Sequence, residues 1–369
     1  MKLTGTREEL LAPLQSVIGV VERRQTMPVL ANVLLSAREN RLSITGTDLE
    51  VELVATTPGG SGVSVQQAGD ITVPGRKLLD IFRSLPDGVS ATVSTEGERI
   101  SIRAGRSRFT LSTLPAAEFP VVEEINAQQT LSFAQGDFRR LIDKTHFSMA
   151  QQDVRYYLNG LLLETEGKSL RAVATDGHRL ALCEMDIESK VKTSQQVIVP
   201  RKGVLELQRT LGTEGQIELG IGTNHVRAQI GDIRFTSKLI DGRFPEYGRV
   251  IPSNPTKKVI ADRETLRQAL QRTAILSNEK YRGIRLTVKP GLLMLTAHNP
   301  EQEEAEDQVE VAYSGEDVEI GFNVNYLLDA LSAIEGDKAE LGLTDSNSSC
   351  LIHAPDAVHT RYVVMPMRL

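Results

Sequence analysis

Apolar residues recur three and four apart in three stretches of the chain, 7–21, 136–147 and 263–276. In each, an i, i+4 pair marks one face of a helix: Leu10 and Leu14, Phe138 and Ile142, Leu266 and Leu270. Successive pairs lie 128 residues apart, twice over. Between the helices the period shortens. Segments 42–55, 170–185 and 292–313 read as strand, turn, strand, and Leu49 to Leu53 alternates like a strand wet on one side. A strand running into a second helix follows at 71–86, 197–212 and 320–336. Pro74 and Pro200 mark the first two junctions, where the fixed φ of proline suits a helix start, and Asn323 takes that place in the third. A closing strand at 106–115, 232–240 and 360–369 puts Phe109, Phe235 and Tyr362 at spacings of 126 and 127.

Four landmarks in one order, three times, describe a repeated structural unit. A period near 125 residues is too long for a solenoid and has the size of a domain. Two helices and several short antiparallel strands per unit give an α+β class. The expected domains are 1–127, 128–256 and 257–369.

Charge adds a second layer. The chain carries a formal net charge of −6. Yet the helical windows 76–85, 201–211 and 263–275 are each net +2 and 137–147 is net +1, while 6–18 and 323–334 are each −1, so the helical windows together are net positive. Basic helices on an acidic body form a segregated field. If these helices share a face, that face attracts phosphate without reading sequence. Aromatic residues make up 4% of the chain and tryptophan is absent, which argues against a base-stacking platform for single strands.

The chemistry of an enzyme is missing. The six histidines form no close metal-binding pair, and no phosphate-binding glycine loop is present. Cys183 and Cys350 stand alone and read as buried thiols of a reducing cytoplasm. No apolar run approaches the ~20 residues of a membrane span. The best catalytic suspect is TDGHRL (175–180), but Asp176 occupies the repeat slot of Asp48, so its first expected role is a turn. A hydrolase using Asp176 and His178, and a plain DNA-binding protein, remain as alternative readings.

Long motifs carry a resemblance: TGTDLE (45–50), GRSRFTLSTLPAAEFP (105–120), FSMAQQDVRYYLNG (147–160), ATDGHRLA (174–181), FTSKLIDGRFPEY (235–247), NPEQEEAE (299–306) and YVVMPMRL (362–369). Over its full length the chain resembles the bacterial DNA polymerase III beta subunits, the sliding clamps. The resemblance implies three clamp-type domains per chain and a head-to-tail homodimeric ring. Helices line the inner face and antiparallel sheets lie outside. It implies a non-catalytic cytoplasmic protein without cofactor or metal. Its partners would be duplex DNA, the polymerase III catalytic subunit, the clamp loader, and other polymerases and repair proteins bound through short peptides, with no membrane.

It also implies three sets of residues. A partner-peptide pocket would use Leu158, Thr175, Gly177, His178, Arg179, Leu180, Pro245, Arg249, Val250, Tyr281, Asn323, Tyr326, Ser349, Val363, Val364, Met365, Pro366, Met367 and Arg368. DNA contacts would come from Arg24, Arg76, Gln152, Tyr156, Tyr157, Arg201 and Lys202. The dimer seam would set Arg106, Arg108, Phe109 and Leu111 of one chain against Ile275, Leu276, Glu301 and Glu304 of the other. Tyr281 stands where some relatives have Phe, and Asn347 where an apolar residue is common.

Overall fold

The computed structural model describes residues 1–22, 27–122, 125–188, 191, 193–357 and 359–368. Its helices are α1 (Arg7–Val17), α2 (Gly75–Ser84), α3 (Gln135–Asp143), α4 (Arg201–Thr210), α5 (Arg263–Thr273) and α6 (Val324–Ala333). Local chemistry sets their starts. Thr6 and Glu9 form a reciprocal capping box on α1. Asp262 accepts from the Thr265 amide at 2.8 Å to cap α5, and Asn323 accepts from the Asn325 amide at 2.9 Å to cap α6. Strands ending at Pro74 and Pro200 run straight into α2 and α4.

The first helix of each copy is shorter than its apolar stripe predicts. It gives way to a single 3₁₀ turn at Ile18–Val20, His146–Ser148 or Ala274–Leu276. In each copy a hydroxyl near the helix end donates back to a carbonyl four residues earlier. These are Ser16 to Ala12 at 3.1 Å, Thr145 to Leu141 at 2.8 Å and Thr273 to Ala269 at 2.9 Å. Such back-bonding competes with the helical ladder and loosens it. The spacing of these hydroxyls repeats the 128-residue period to within one residue.

Backbone contacts divide the chain into two compact units. The division falls inside the second copy. Residues 1–138 with 202–239 form one unit, and 139–201 with 240–369 form the other.

The first unit holds two antiparallel sheets. A five-stranded sheet runs Ser64–Gln67, Lys2–Thr6, Ser90–Glu96, Arg99–Ala104, Ser107–Ser112. An eight-stranded sheet runs Gln129–Ala134, Gln216–Ile221, His225–Ile230, Ile233–Lys238, Val51–Thr56, Arg41–Thr47, Asn32–Arg38, Gly69–Pro74. In it the closing strand of the second copy pairs with the hairpin of the first, Phe235 opposite Leu53.

The second unit holds one twelve-stranded sheet: Gln195–Pro200, Gly160–Glu166, Ser169–Thr175, Arg179–Asp186, Thr360–Val364, Cys350–His353, Lys338–Leu343, Lys257–Asp262, Glu304–Ala312, Leu292–His298, Gly283–Lys289, Val318–Asn323. The same rule operates here. The closing strand of the third copy pairs with the hairpin of the second, Tyr362 opposite Ala181. That closing strand stops at Val364, short of the expected 369, where Met365 turns to bond the His178 carbonyl.

Glu52 is the conspicuous buried acid of the first unit, 1% exposed. One carboxylate oxygen accepts from the Val122 amide at 3.1 Å and the other has no partner. Burial raises its pKa despite the nearby Arg234 and Arg227 charges. A raised acid is protonated more readily in the native state, so its contribution to stability is lost as pH rises from the ordinary carboxylate value through the raised one. Acids held low, such as Glu264 at about 2, act only below that window. We therefore expect the stability difference between wild type and Glu52→Gln, read as urea midpoints, to narrow between pH 7 and pH 5. A difference that stays constant with pH would contradict the assignment.

Candidate functional site

Period-two alternation gives the second unit's sheet an apolar face distinct from the one that packs into the third-copy core. Leu180 and Leu182 point to one side with Leu162, Val173, Ile198, Leu351 and Val363, and Phe244 packs onto this cluster from segment 240–252. Tyr157, Ile240, Tyr247 and Ile251 close around it. Ala181, Tyr362 and Val364 point to the other side, into the third-copy core. Val364 thus serves the core and not the pocket face, because it is one residue out of phase with Val363.

At the end of this face lies a cavity of about 190 Å³. Of the residues the resemblance implied, Leu158, Thr175, Gly177, Arg179, Leu180, Pro245, Val250, Val363 and Met365 line it. Arg155 and Tyr247 also line it, and the sequence reading missed both. The turn at its rim repeats a turn of the first copy. Asp176 Oδ1 accepts from the His178 and Arg179 amides at 2.9 and 3.1 Å, as Asp48 Oδ1 does from Glu50 and Val51 at 2.9 and 2.7 Å. Gly177 has φ 89°, a backbone conformation that favours glycine, and the Arg155 guanidinium lies 3.0 Å from where a Cβ would sit. Arg155 is held by Asp153 at 2.9 Å, a bond that draws the Asp153 carboxyl down to about 2.

The remaining expected pocket residues scatter. His178 is exposed at the turn, and Arg249 is exposed and bonds Glu246 at 2.7 Å. Tyr281, Met367 and Arg368 line a separate cavity of about 440 Å³ with Asn278 and residues 296–300. Asn323 spends its carbonyl oxygen on the α6 cap, and its Nδ2 donates to the Tyr281 carbonyl at 3.3 Å. The Tyr326 ring lies 4.6 Å from the Arg179 guanidinium carbon. Ser349 and Pro366 are half-buried and line neither cavity.

An ion cluster supports the segment that roofs the pocket. Arg171 bridges Glu164 at 2.7 Å and Glu184 at 2.9 Å. Its Nη1 also donates to the Tyr247 hydroxyl at 2.9 Å, and that hydroxyl donates to Glu164. Burial, then the Glu164 bond, push the Tyr247 phenol up to about 12, so it stays a neutral donor. Tyr247 is therefore fixed at both ends, by its ring in the apolar cluster and by its hydroxyl in the ion cluster.

At the turn, Asp176 Oδ1 is taken by the two backbone amides and its Oδ2 by the Arg179 Nε at 3.2 Å, and Thr175 Oγ1 donates to the Arg179 carbonyl at 2.6 Å.

The expected DNA residues lie in unlike surroundings. Arg24 falls outside the described residues. Arg76 donates to the Val21 carbonyl at 2.7 Å. Lys202 sits between Asp48 and Glu22, the latter at 2.5 Å. Burial opposes the lysine charge, but the two carboxylates more than offset this and raise its pKa. Arg201 is half-buried, and Gln152, at φ 56°, is exposed. Tyr156 is 56% exposed and its ring lies 5.8 Å from that of the half-buried Tyr157.

The expected seam residues lie on or beside two open strand edges, with Ile275 and Leu276 in the 3₁₀ turn after α5. Among the described residues, Ser107–Ser112 is an edge strand with Phe109 and Leu111 half-buried. Arg106 is exposed, and Arg108 is exposed and bonds Glu96 at 3.2 Å. Glu304–Ala312 pairs on its second side only through Val311 and Ala312, which leaves its Glu304 end open. Glu301 and Glu304 are exposed there, Leu276 is half-buried, and Ile275 is 75% exposed.

Three family models match the chain in succession: the DNA polymerase III beta subunit N-terminal domain over residues 1–123, its central domain over 132–246 and its C-terminal domain over 248–368. The beta sliding clamp of Pseudomonas aeruginosa is 56% identical, and that of Escherichia coli 53% identical, each with all of both chains covered. A crystal structure of the DNA polymerase III subunit beta from Pseudomonas aeruginosa superimposes with a TM-score of 0.97 at 56% identity, again over all of both chains.

Proposed function

We propose, from the premise that this chain belongs to the DNA polymerase III beta subunit family, that it is a DNA sliding clamp, a non-catalytic ring that encircles duplex DNA and tethers the replicative polymerase. Tethering works through effective concentration: an enzyme that lets go of the primer end rebinds before it can diffuse away. The polymerase catalytic subunit, the clamp loader and other replication and repair proteins would reach the ring through short peptides with apolar anchors. The pocket beneath segment 240–252 is the proposed seat for such an anchor. Domain boundaries near 127 and 256 and a cytoplasmic location belong to the same proposal. Among the described residues no helix is long and apolar enough to cross a membrane.

One observation carries the ring. Twice, a closing strand pairs with the hairpin of the preceding copy. That rule leaves two elements unused, the closing strand Ser107–Ser112 of the first copy and the open end of Glu304–Ala312 in the third. Applied once more between two chains, it joins them head to tail. Ala305 stands in its hairpin where Leu53 and Ala181 stand in theirs, so Phe109 would face Ala305. Arg108 would then face Glu306. A heterologous contact used twice closes a two-fold ring, and opposite charges on the two edges steer the pairing. The basic helical windows read in the sequence would face the DNA.

The ring reading predicts topological retention. Loaded by a clamp loader onto nicked circular plasmid, the protein should stay bound through gel filtration and run off once the plasmid is cut to a linear form. Equal retention on both forms would indicate ordinary DNA binding and would sink the tether.

A further inference from the structure

The sheet face that bears the pocket does not end there. It continues into an open groove of about 930 Å³, which shares Pro245 and Tyr247 with the pocket as its dividing wall. The step between them is short. Leu180 pairs with Val363 in the pocket, and Leu182 pairs with Arg361 in the groove. Two residues along a strand are about 7 Å, so a peptide running on from an anchored side chain would reach Arg361 within two or three residues.

The groove's charges are unevenly committed. Glu164 and Glu184 are both held by Arg171, and Glu246 is held by Arg249 at 2.7 Å. Arg361 is the exception. It forms no ion pair among the described residues, and its buried Nε has no hydrogen-bond partner. A half-buried guanidinium that forms no ion pair among the described residues, in a groove whose own acids are already paired, can take a carboxylate from outside.

We propose that this groove takes the acidic residues flanking the apolar anchor of a partner peptide, with a peptide carboxylate bonded to Arg361. The inference rests on the pocket reading and extends it. Aspartate or glutamate two or three positions from the anchor would strengthen binding, and lysine there would weaken it. Partners could thus be ranked by the charge beside a common apolar motif.

The test uses fluorescein-labelled synthetic peptides, Ser-Leu-Ser-Leu-Phe carrying three aspartates or three serines at either end, titrated onto the full chain by fluorescence anisotropy at low salt. At one of the two ends, the aspartate tail should tighten binding about fivefold over the serine tail, the gain of one half-buried charge pair. Arg361→Gln should bring that ratio to about one while leaving the serine-tailed affinity unchanged. Equal affinities of the two tails in the wild type, or a gain that survives in Arg361→Gln, would overturn the groove proposal alone. Binding of no peptide at all would overturn the pocket reading as well.

Discussion

Ile275→Asp should convert the ring into monomers. Ile275 is 75% exposed in the isolated chain and sits beside the open edge of the third copy. Burying an isoleucine side chain contributes about 1.5–3 kcal/mol. Aspartate forfeits that and adds a carboxylate to an edge that already carries Glu301, Glu303, Glu304 and Glu306. A head-to-tail ring of two chains has two identical seams, so the loss counts twice. At ~2 kcal/mol per seam, the dimer dissociation constant should rise roughly a thousandfold. Sedimentation velocity at micromolar concentration would read this as monomer, and retention on nicked circular plasmid should fall with it. The far-UV circular dichroism spectrum of the chain should hardly change, because the side chain packs little within its own subunit. A variant that remains dimeric would remove Ile275 from the seam. A variant that unfolds would show that the residue serves its own core.

The sequence made the repeat legible because each landmark is local. Helical stripes, the Asp48 and Asp176 turns and the strand-to-helix prolines all declare themselves within a dozen residues. Even the hydroxyls of Ser16, Thr145 and Thr273 could have been found from their spacing, though nothing local distinguishes them from other polar helix residues. What could not be read was which strands pair across copies. The 360–364 strand lies nearly 180 residues from its partner at 179–186, and such pairing leaves no local trace.

The same holds for the site. Leu158, Leu180 and Val363 come together only through that long-range pairing, and Tyr247 enters through contacts with Glu164 and Arg171 some 80 residues away. Nothing local marks Arg155 as facing the cavity. The family motifs named most of the cavity, but they merged two separate cavities into one list, because adjacency along the C-terminal segment does not fix which side of the segment each side chain faces. They also gave Lys202 as a DNA contact, and its ion pairs with Asp48 and Glu22 are not legible from the motif.

Arg179→Ala should cost peptide binding at least about tenfold. The Arg179 side chain is 14% exposed and holds three parts of the pocket at once. Its Nε donates to Asp176 at 3.2 Å, its Nη2 to the Phe147 carbonyl at 2.7 Å and its Nη1 to Asp329 on α6. The guanidinium also lies over the rings of Tyr326 and Phe147, 4.6 and 5.7 Å from their centroids. Alanine leaves a hole in the pocket wall and frees the turn, the 146–148 segment and α6 to shift apart. The stability cost should be modest, about 1–3 kcal/mol, since Asp329 is 46% exposed and Asp176 keeps its two backbone amides. Arg179→Lys separates charge from geometry. A lysine keeps the charge but is a single point donor, unable to serve three acceptors in one plane. If Arg179 acts by attracting a peptide carboxylate, lysine should restore binding. If it acts as a scaffold, as its bonds indicate, lysine should bind within a few-fold of alanine while melting closer to wild type. Wild-type peptide affinity in the alanine variant would show that the pocket wall does not depend on Arg179.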